Sequence, residues 1–278
     1  MITALPKLQA DLAEAMQQDA AADATLLALQ KENSDLKQQI ADMQKPKVVK
    51  ILNIQSVAPE TLWYEARSPG SPKTGPHGTI TIVPGSPATA DFHPMKLAGS
   101  ESDNCYNLRR MYGDRTDEEK LILETATKFS MACDWMLDPL SNVQAAELDF
   151  QTRKKTGVVI NIGPQLLPDG KGGWSMRGFD FINKGWVPLG VKANPKPGIP
   201  IRIQVDATCD DKTVQFTQIL LDGVAFPVNF SHPTGISKDQ KGNVITGAPY
   251  INAAYQLDAT GDAKPYRATV NNFEVTYS

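Results

Sequence analysis

Leu5, Leu8, Leu12, Ala15, Asp19, Ala22, Leu26, Leu29, Asn33, Leu36, Ile40 and Met43 follow one another at alternating spacings of three and four residues. With Leu5 at heptad position a, the a positions are Leu5, Leu12, Asp19, Leu26, Asn33 and Ile40. The d positions are Leu8, Ala15, Ala22, Leu29, Leu36 and Met43. Gln, Asp, Glu, Lys and Ala flank this narrow stripe. The pattern predicts a helix about 58 Å long at about 1.5 Å per residue. A helix with so thin a seam buries it best against copies of itself, and the repeat outlasts the three to four heptads that mark a coiled coil. Glu32 at g and Lys37 at the next e suit an ion pair between parallel strands, and Asn33 at a sets register. Asp19, Ala15 and Ala22 make the first half of the seam weak. The pattern is compatible with two strands or three.

After Lys45-Pro46-Lys47 the periodicity changes, since proline cannot continue a helix. Val48 to Gln55 reads as a first strand. Residues 56 to 100 hold seven prolines and several glycines, the composition of a loop or extended arm, with a short strand at 79–83. Thr116 with Glu119 forms a capping-box pattern ahead of a short helix at 117–125. From residue 127 onward the pattern is β: strands are predicted at 127–134, 143–151, 157–163, 174–181, 186–191, 200–208, 213–221, 223–230, 250–258 and 267–277. Ile201, Ile203, Val205 and Ala207 alternate with Arg202, Gln204, Asp206 and Thr208, and Asp222-Gly223 marks a hairpin turn. One buried and one wet face per strand specifies a two-layer antiparallel sandwich. Three segments follow: a coiled-coil stalk at 1–46, a Pro/Gly-rich arm with short strands at 47–126, partly joined to the sandwich, and the sandwich domain at 127–278.

Net charge is −3 over 278 residues and the isoelectric point is near 5.7, which gives no electrostatic case for nucleic acid. The three cysteines, Cys105, Cys133 and Cys209, show neither a disulfide framework nor zinc-ligand spacing. No run of about 18 apolar residues suggests membrane insertion, and Met1 leads into the heptads without a signal-peptide pattern. The expectation is a protein made in the cytoplasm. His77, His93 and His232 sit apart beside Pro or Gly and read as loop residues, not metal ligands.

The chemistry lies in Gln144–Gln151, QAAELDFQ. Ala146, Leu148 and Phe150 form the apolar face; Glu147, Asp149 and Gln151 share the other at about 6.5 to 7 Å intervals. Two carboxylates so placed repel one another, and Arg153 and Lys154 are candidate partners if the row is merely structural. This stretch, with strands 157–165, 174–190 and 250–277, resembles the concanavalin A-like lectin/glucanase jelly roll. Laminarinase- and lichenase-type glycoside hydrolases of that fold carry E-x-D-x-(x)-E, with the first Glu as nucleophile, the Asp as its helper and the last Glu as acid/base. The resemblance assigns the first two roles to Glu147 and Asp149. The third position is Gln151, which has no transferable proton, so hydrolysis is expected to be very slow. The resemblance also extends to bacterial lectin-like domains ending in an Asn-Phe-x-Val strand, here Asn272-Phe273-Glu274-Val275. It implies a non-enzymatic glycan site on Glu147, Asp149, Gln151, Gln165, Trp174 and Arg177, with Tyr255 and Asp180 as further candidates; Trp186, flanked by Val187 and Leu189, could join them but reads rather as core, and Trp63 and Trp135 read as core. No cofactor is expected. Structural calcium is frequent in such jelly rolls, but Asp206, Asp210 and Asp211 form no calcium loop.

A leaderless coiled coil ahead of a lectin-like head resembles phage virion fibres and capsid decoration proteins. That resemblance implies a homotrimer, held through Leu5, Leu8, Leu12, Leu26, Leu29, Asn33, Leu36, Ile40 and Met43. Its N-terminus would bind a capsid or tail protein, and its head a host-surface glycan. The competing readings are a glycan-active enzyme or bacterial carbohydrate-binding protein, and a cytoplasmic scaffold.

Overall fold

The computed structural model describes residues 5–44, 47–67, 78–96, 102–180, 185–259 and 261–278. The chain divides into two compact units, Met1–Lys47 and Val48–Ser278.

The first unit is one helix, α1 (Leu5–Gln44), over the span that the heptads predict. Its seam side chains Leu8, Leu12, Leu26, Leu29, Leu36 and Ile40 are all exposed in the single chain, Leu8 at 69% and Ile40 at 48%. Leu5 and Met43 belong to the helix, but their side chains lie outside the described residues. No described helix is long and apolar enough to cross a membrane.

The second unit is mainly β. Its strands are β1 (Val49–Ile51), β2 (Thr61–Arg67), β3 (Thr79–Val83), β4 (Ala88–His93), β5 (Ser102–Arg110), β6 (Lys128–Asp138), β7 (Val143–Arg153), β8 (Val158–Ile162), β9 (Pro164–Pro168), β10 (Trp174–Asp180), β11 (Gly185–Ala193), β12 (Ile201–Cys209), β13 (Thr213–Leu221), β14 (Val224–Pro233), β15 (Gly235–Ile236), β16 (Tyr250–Ala259) and β17 (Tyr266–Tyr277). A short helix, α2 (Asp117–Thr125), precedes β6. One sheet runs β14-β13-β12-β6-β17-β4-β3, with β1 paired to β17. The other runs β11-β10-β9-β7-β16-β5-β2, with β8 on β7 and β15 on β8. All pairings are antiparallel. Together the sheets form a sandwich of the jelly-roll class.

The alternation read from the sequence builds this core. On β12, Ile201, Ile203, Val205, Ala207 and Cys209 are buried while the residues between them are half-exposed. Phe129 of β6 meets Phe150 of β7 across the two layers, ring centroids 5.9 Å apart. Trp135 is 1% exposed within the same core; the Trp63 side chain lies outside the described residues. Asp222 and Gly223 both take positive φ, 49° and 81°, in the β13–β14 hairpin, the backbone that a tight primed turn requires. At α2 the capping box is complete: the Thr116 hydroxyl accepts from the Glu119 amide, and the Glu119 carboxylate accepts from the Thr116 amide.

Residues 47–126, expected as an arm partly joined to the sandwich, supply strands to both sheets. β1, β3 and β4 lie in one, β2 and β5 in the other, where β5 pairs with β16 along eight residues from Asp103 to Arg110. The compact unit therefore starts at Val48, well before residue 127. The most proline-rich stretch, 68–77, lies outside the described residues.

Candidate functional site

β7 places the site. Ala146, Leu148, Phe150 and Thr152 face inward and are at most 1% exposed. The period of two then forces Glu147, Asp149 and Gln151 onto the opposite, outer face of this sheet. Cross-strand register lines up a row through Glu147: Tyr106 on β5, Gln256 on β16, Glu147 on β7, Gln165 on β9 and Arg177 on β10. A second row runs through Gln151: Arg110, Asn252, Gln151 and Asn161.

Glu147, 9% exposed, accepts from Gln165 Nε2 at 2.8 Å and from Gln256 Nε2 at 3.3 Å. The same Gln256 nitrogen donates to Asp258 Oδ1 at 2.6 Å. Two carboxylates thus share one amide between them. Asp149 lies between the rows, with its carboxylate against Gly163. A side chain at residue 163 would collide with Asp149 Oδ1 and displace the carboxylate from its place. The Asp149 carboxyl sits at the bottom of a narrow cleft. The residue is half-buried and lines the cleft described below. Burial pushes its pKa up to about 6, against the pull of the hydrogen bond that it accepts from Tyr106. Burial likewise pushes the Tyr106 hydroxyl well above the ordinary phenol range, with the nearby Asp149 charge adding to it.

Above this floor stands an aromatic wall. Phe179 and Trp186, cross-strand partners in the β10–β11 hairpin, meet edge to face with centroids 5.3 Å apart. With Glu147, Asp149 and Gln256 they enclose a cleft of about 220 Å³, closed by Asn161, Gly163, Phe216 and His232. His232 is 4% exposed, with Nδ1 2.9 Å from the Pro233 carbonyl and Nε2 3.1 Å from that of Asn161. Its ring is fixed between Phe216 and Phe230. A second cleft of about 230 Å³ adjoins the first and shares Glu147, Trp186 and Gln256 with it. It extends to Asn104, Gln165, Arg177 and Asp258.

The structure brings together four of the six residues expected at a glycan site: Glu147, Asp149, Gln165 and Arg177 all line one cleft or the other. Gln151 lies one row away and lines neither; its Oε1 accepts from the Tyr250 hydroxyl at 2.8 Å. Trp174 is 8% exposed and belongs to the core, as does Tyr255. The tryptophan at the cleft is Trp186. Strand parity explains the exchange: on β10, Arg177 and Phe179 face the cleft, so Trp174, an odd number of residues away, faces inward. His232 is also a strand residue, not a loop residue, and is delivered by the other sheet. His93 ends β4, and His77 lies outside the described residues.

Arg153 and Lys154 do not serve as partners for the carboxylates. Arg153 donates to the Ala248 carbonyl and Ser237 hydroxyl and covers the Tyr250 ring, 4.8 Å from its centroid. Lys154 is 3% exposed and reaches the Ala126 carbonyl and Asp211. Among the described residues no group of three or more His, Cys, Asp or Glu is arranged to hold a metal ion. Asp210 caps a turn through the Lys212 and Thr213 amides, and Asp206 accepts from Gln204 and Gln218.

No protein-family model matches the chain, and no curated protein sequence matches it. Solved structures of similar shape include the Emp47p carbohydrate recognition domain, at 9% identity over 84% of this chain and 96% of that one, TM-score 0.38. The lectin UEA-II complexed with galactose is 8% identical over 83% and 98%, TM-score 0.39. The conserved carbohydrate esterase vb_24B_21 from Shiga toxin-encoding bacteriophage phi24B is 8% identical over 77% and 90%, TM-score 0.38. At that level of likeness none of them carries a functional implication for this chain.

Proposed function

We propose that this chain is a self-associating, non-enzymatic structural protein whose sandwich binds saccharide on the outer face of β7. The observation that carries the binding reading is the pairing of an aromatic wall, Phe179 and Trp186, with an acceptor-rich floor, Glu147, Asp149 and Asn161. Pyranose rings present apolar C–H faces and equatorial hydroxyls, and a cleft with an aromatic side and a few converging polar groups matches both. A glycan array with the full-length chain tests it, with Trp186→Ala as control. Binding that Trp186→Ala abolishes supports the cleft; no binding to any glycan sinks the reading.

Self-association rests on α1, whose described apolar heptad side chains from Leu8 to Ile40 include six that are exposed. The proposed partner is a second and third copy in parallel, with Glu32 of one strand facing Lys37 of the next. A virion role, as a capsid or tail fibre or decoration protein, rests on the succession of heptad helix and lectin-like sandwich, which is an argument from architecture. Light scattering on the full-length chain decides the association; a monomer at micromolar concentration ends it.

The non-enzymatic part rests on Gln151, which occupies the acid/base position and is bonded to Tyr250. One observation favours the enzyme instead: Asp149, with its pKa pushed up to about 6 beside Glu147, is a carboxyl poised to hold a proton near neutrality. Release of reducing ends from β-glucans, lost on Glu147→Ala and on Asp149→Asn, would establish hydrolysis.

A further inference from the structure

We propose that the second cleft holds an acidic sugar unit whose carboxylate is taken by Arg177, so that the ligand is a saccharide containing a uronic acid. The proposal rests on the saccharide-binding reading above and names the ligand class within it. Arg177 is half-buried in the lining of that cleft, which Trp186 also lines. It forms no hydrogen bond or ion pair with any of the described residues. The two carboxylates of the lining are engaged: Glu147 accepts from Gln165 and Gln256, and Asp258 accepts from Gln256. The guanidinium therefore keeps N–H donors that no described residue takes, and it has no acceptor.

Sheet order sets Arg177 apart from the acidic floor. Gln165 of β9 stands between Arg177 on β10 and Glu147 on β7, which separates their backbones by about 10 Å at about 4.8 Å per strand. Asp258 is one strand further, on β16. Side chains of one face rise roughly parallel from a sheet. A ligand carboxylate bonded to the guanidinium thus meets its attraction at contact and the nearest acidic group much further off. On the other side of Arg177 the face is cationic. Ser175 shares the outward parity of Arg177, and its partner on β11 is Lys192, which is exposed. Asp180, the one carboxylate within β9, β10 and β11, has the inward parity. Asp169, in the turn after β9, accepts from the Lys171 and Gly173 amides. The planar guanidinium matches both oxygens of a carboxylate with paired, charge-assisted bonds, and the indole of Trp186 suits the apolar face of the same ring. A neutral unit offers only hydroxyls there, and an amino sugar brings like charge against Arg177 and Lys192.

The test is an array of oligosaccharides in matched pairs, each uronic acid beside its carboxyl-reduced neutral form, probed with the full-length chain. Calorimetry on the best binder then compares the unaltered chain with Arg177→Gln and Arg177→Lys. The acidic form should bind at least about tenfold more tightly than its neutral match, the scale of one hydrogen bond to a charged group. The margin should narrow as salt rises from about 0.05 to 0.5 M. Arg177→Gln should erase the margin, and Arg177→Lys, which keeps the charge and loses the fork, should keep only part of it. Equal or stronger binding of the neutral form overturns the proposal and leaves the saccharide reading standing. An acid preference untouched by Arg177→Gln overturns the assignment to this cleft. Absence of binding across the array removes the saccharide reading and this proposal with it. Should Arg177→Gln fail to fold, Arg177→Lys and the matched pairs on the unaltered chain decide.

Discussion

Helix α1 and strand β7 are written by the same rule, one apolar face against one polar face, and meet opposite outcomes within the chain. On β7 the apolar residues Ala146, Leu148 and Phe150 are at most 1% exposed. On α1 the apolar seam stays open, with Leu29 57% and Leu36 50% exposed. β7 finds its cover in the facing sheet, so the sandwich has what it needs to fold as a single copy. α1 gains little from helix formation alone, since most helical stability in proteins comes from packing an apolar face. The difference separates an apolar face that is covered within its own unit from one whose described side chains stay exposed.

The largest expected effect follows from that asymmetry. Leu29→Asp with Leu36→Asp places charge in two layers of the seam, where burial of an unpaired carboxylate is prohibitive. Light scattering should show complete loss of association, and far-UV circular dichroism a fall in helical signal. The β signal and the main unfolding transition should not move. If that transition shifts with the seam, the sandwich depends on association and the contrast fails.

Next come the two tryptophans of the β10–β11 hairpin. Trp174→Ala removes a core side chain and should destabilise the sandwich by about 3 to 5 kcal/mol, with denaturant unfolding as the measure. Trp186→Ala removes a cleft wall that packs on Phe179, and should cost about 1 kcal/mol while abolishing saccharide binding. Equal stability losses would mean that Trp186 is also a core residue, and the cleft would lose its main wall.

Asp149 gives a pH-dependent effect of intermediate size. Its folded pKa, about 6, lies above its ordinary value of 3.8. Folding therefore favours the protonated form. The stabilisation is fully present below about pH 4 and is lost as pH rises through about 6. Asp149→Asn keeps an acceptor for Tyr106 and removes the charge. It should match the wild type near pH 3.5 and exceed it at pH 8 by about 1 to 3 kcal/mol, the upper end being the full conversion of that rise and the lower end allowing for solvent screening of a half-buried group. Parallel stability curves from pH 4 to 8 would show that the carboxyl is solvated, and the enzyme reading would lose its support.

These elements also show how far local pattern reaches. The span of α1, the α2 capping box, the Asp-Gly hairpin and the outer row of β7 are all set by residues within a few positions of one another, and all are legible in the sequence. β5 is not. It carries Asp103, Asn104 and Asn107, all at most 5% exposed, so its polar residues mask a strand. Part of what holds Asp103 comes from outside the strand: its Oδ2 accepts from the Gly78 and Met95 amides. The cleft was half legible for the same reason. Glu147 and Asp149 follow from parity on one strand, and parity on β10 would also have turned Trp174 inward. Phe216 and His232 reach the site from the other sheet, and no local pattern announces a contact of that kind.

The smallest effect sharpens the comparison from the helical side. α2 is only nine residues long, far too short to persist alone, yet it is a fixed part of the sandwich. Leu123 is fully buried in the core, and the Tyr277 hydroxyl of the last strand donates to the Glu119 carbonyl at 3.1 Å. Asp117, Glu118 and Glu119 fill its first turn, where the helix dipole favours negative charge, and the capping box satisfies two amides. The first turn of α1 has no acidic residue and its last turn no basic one. The short helix is thus anchored by its ends and by Leu123 in the sandwich core, whereas the described seam side chains of the long one are exposed. Thr116→Ala should cost about 1 kcal/mol and lower the sandwich's melting temperature by about 2 to 4 °C, with association unchanged. Thr116→Ser, which keeps the cap, should restore the wild-type value. A change in oligomeric state on Thr116→Ala would mean that α2 takes part in assembly, and the division of labour between the two helices would have to be redrawn.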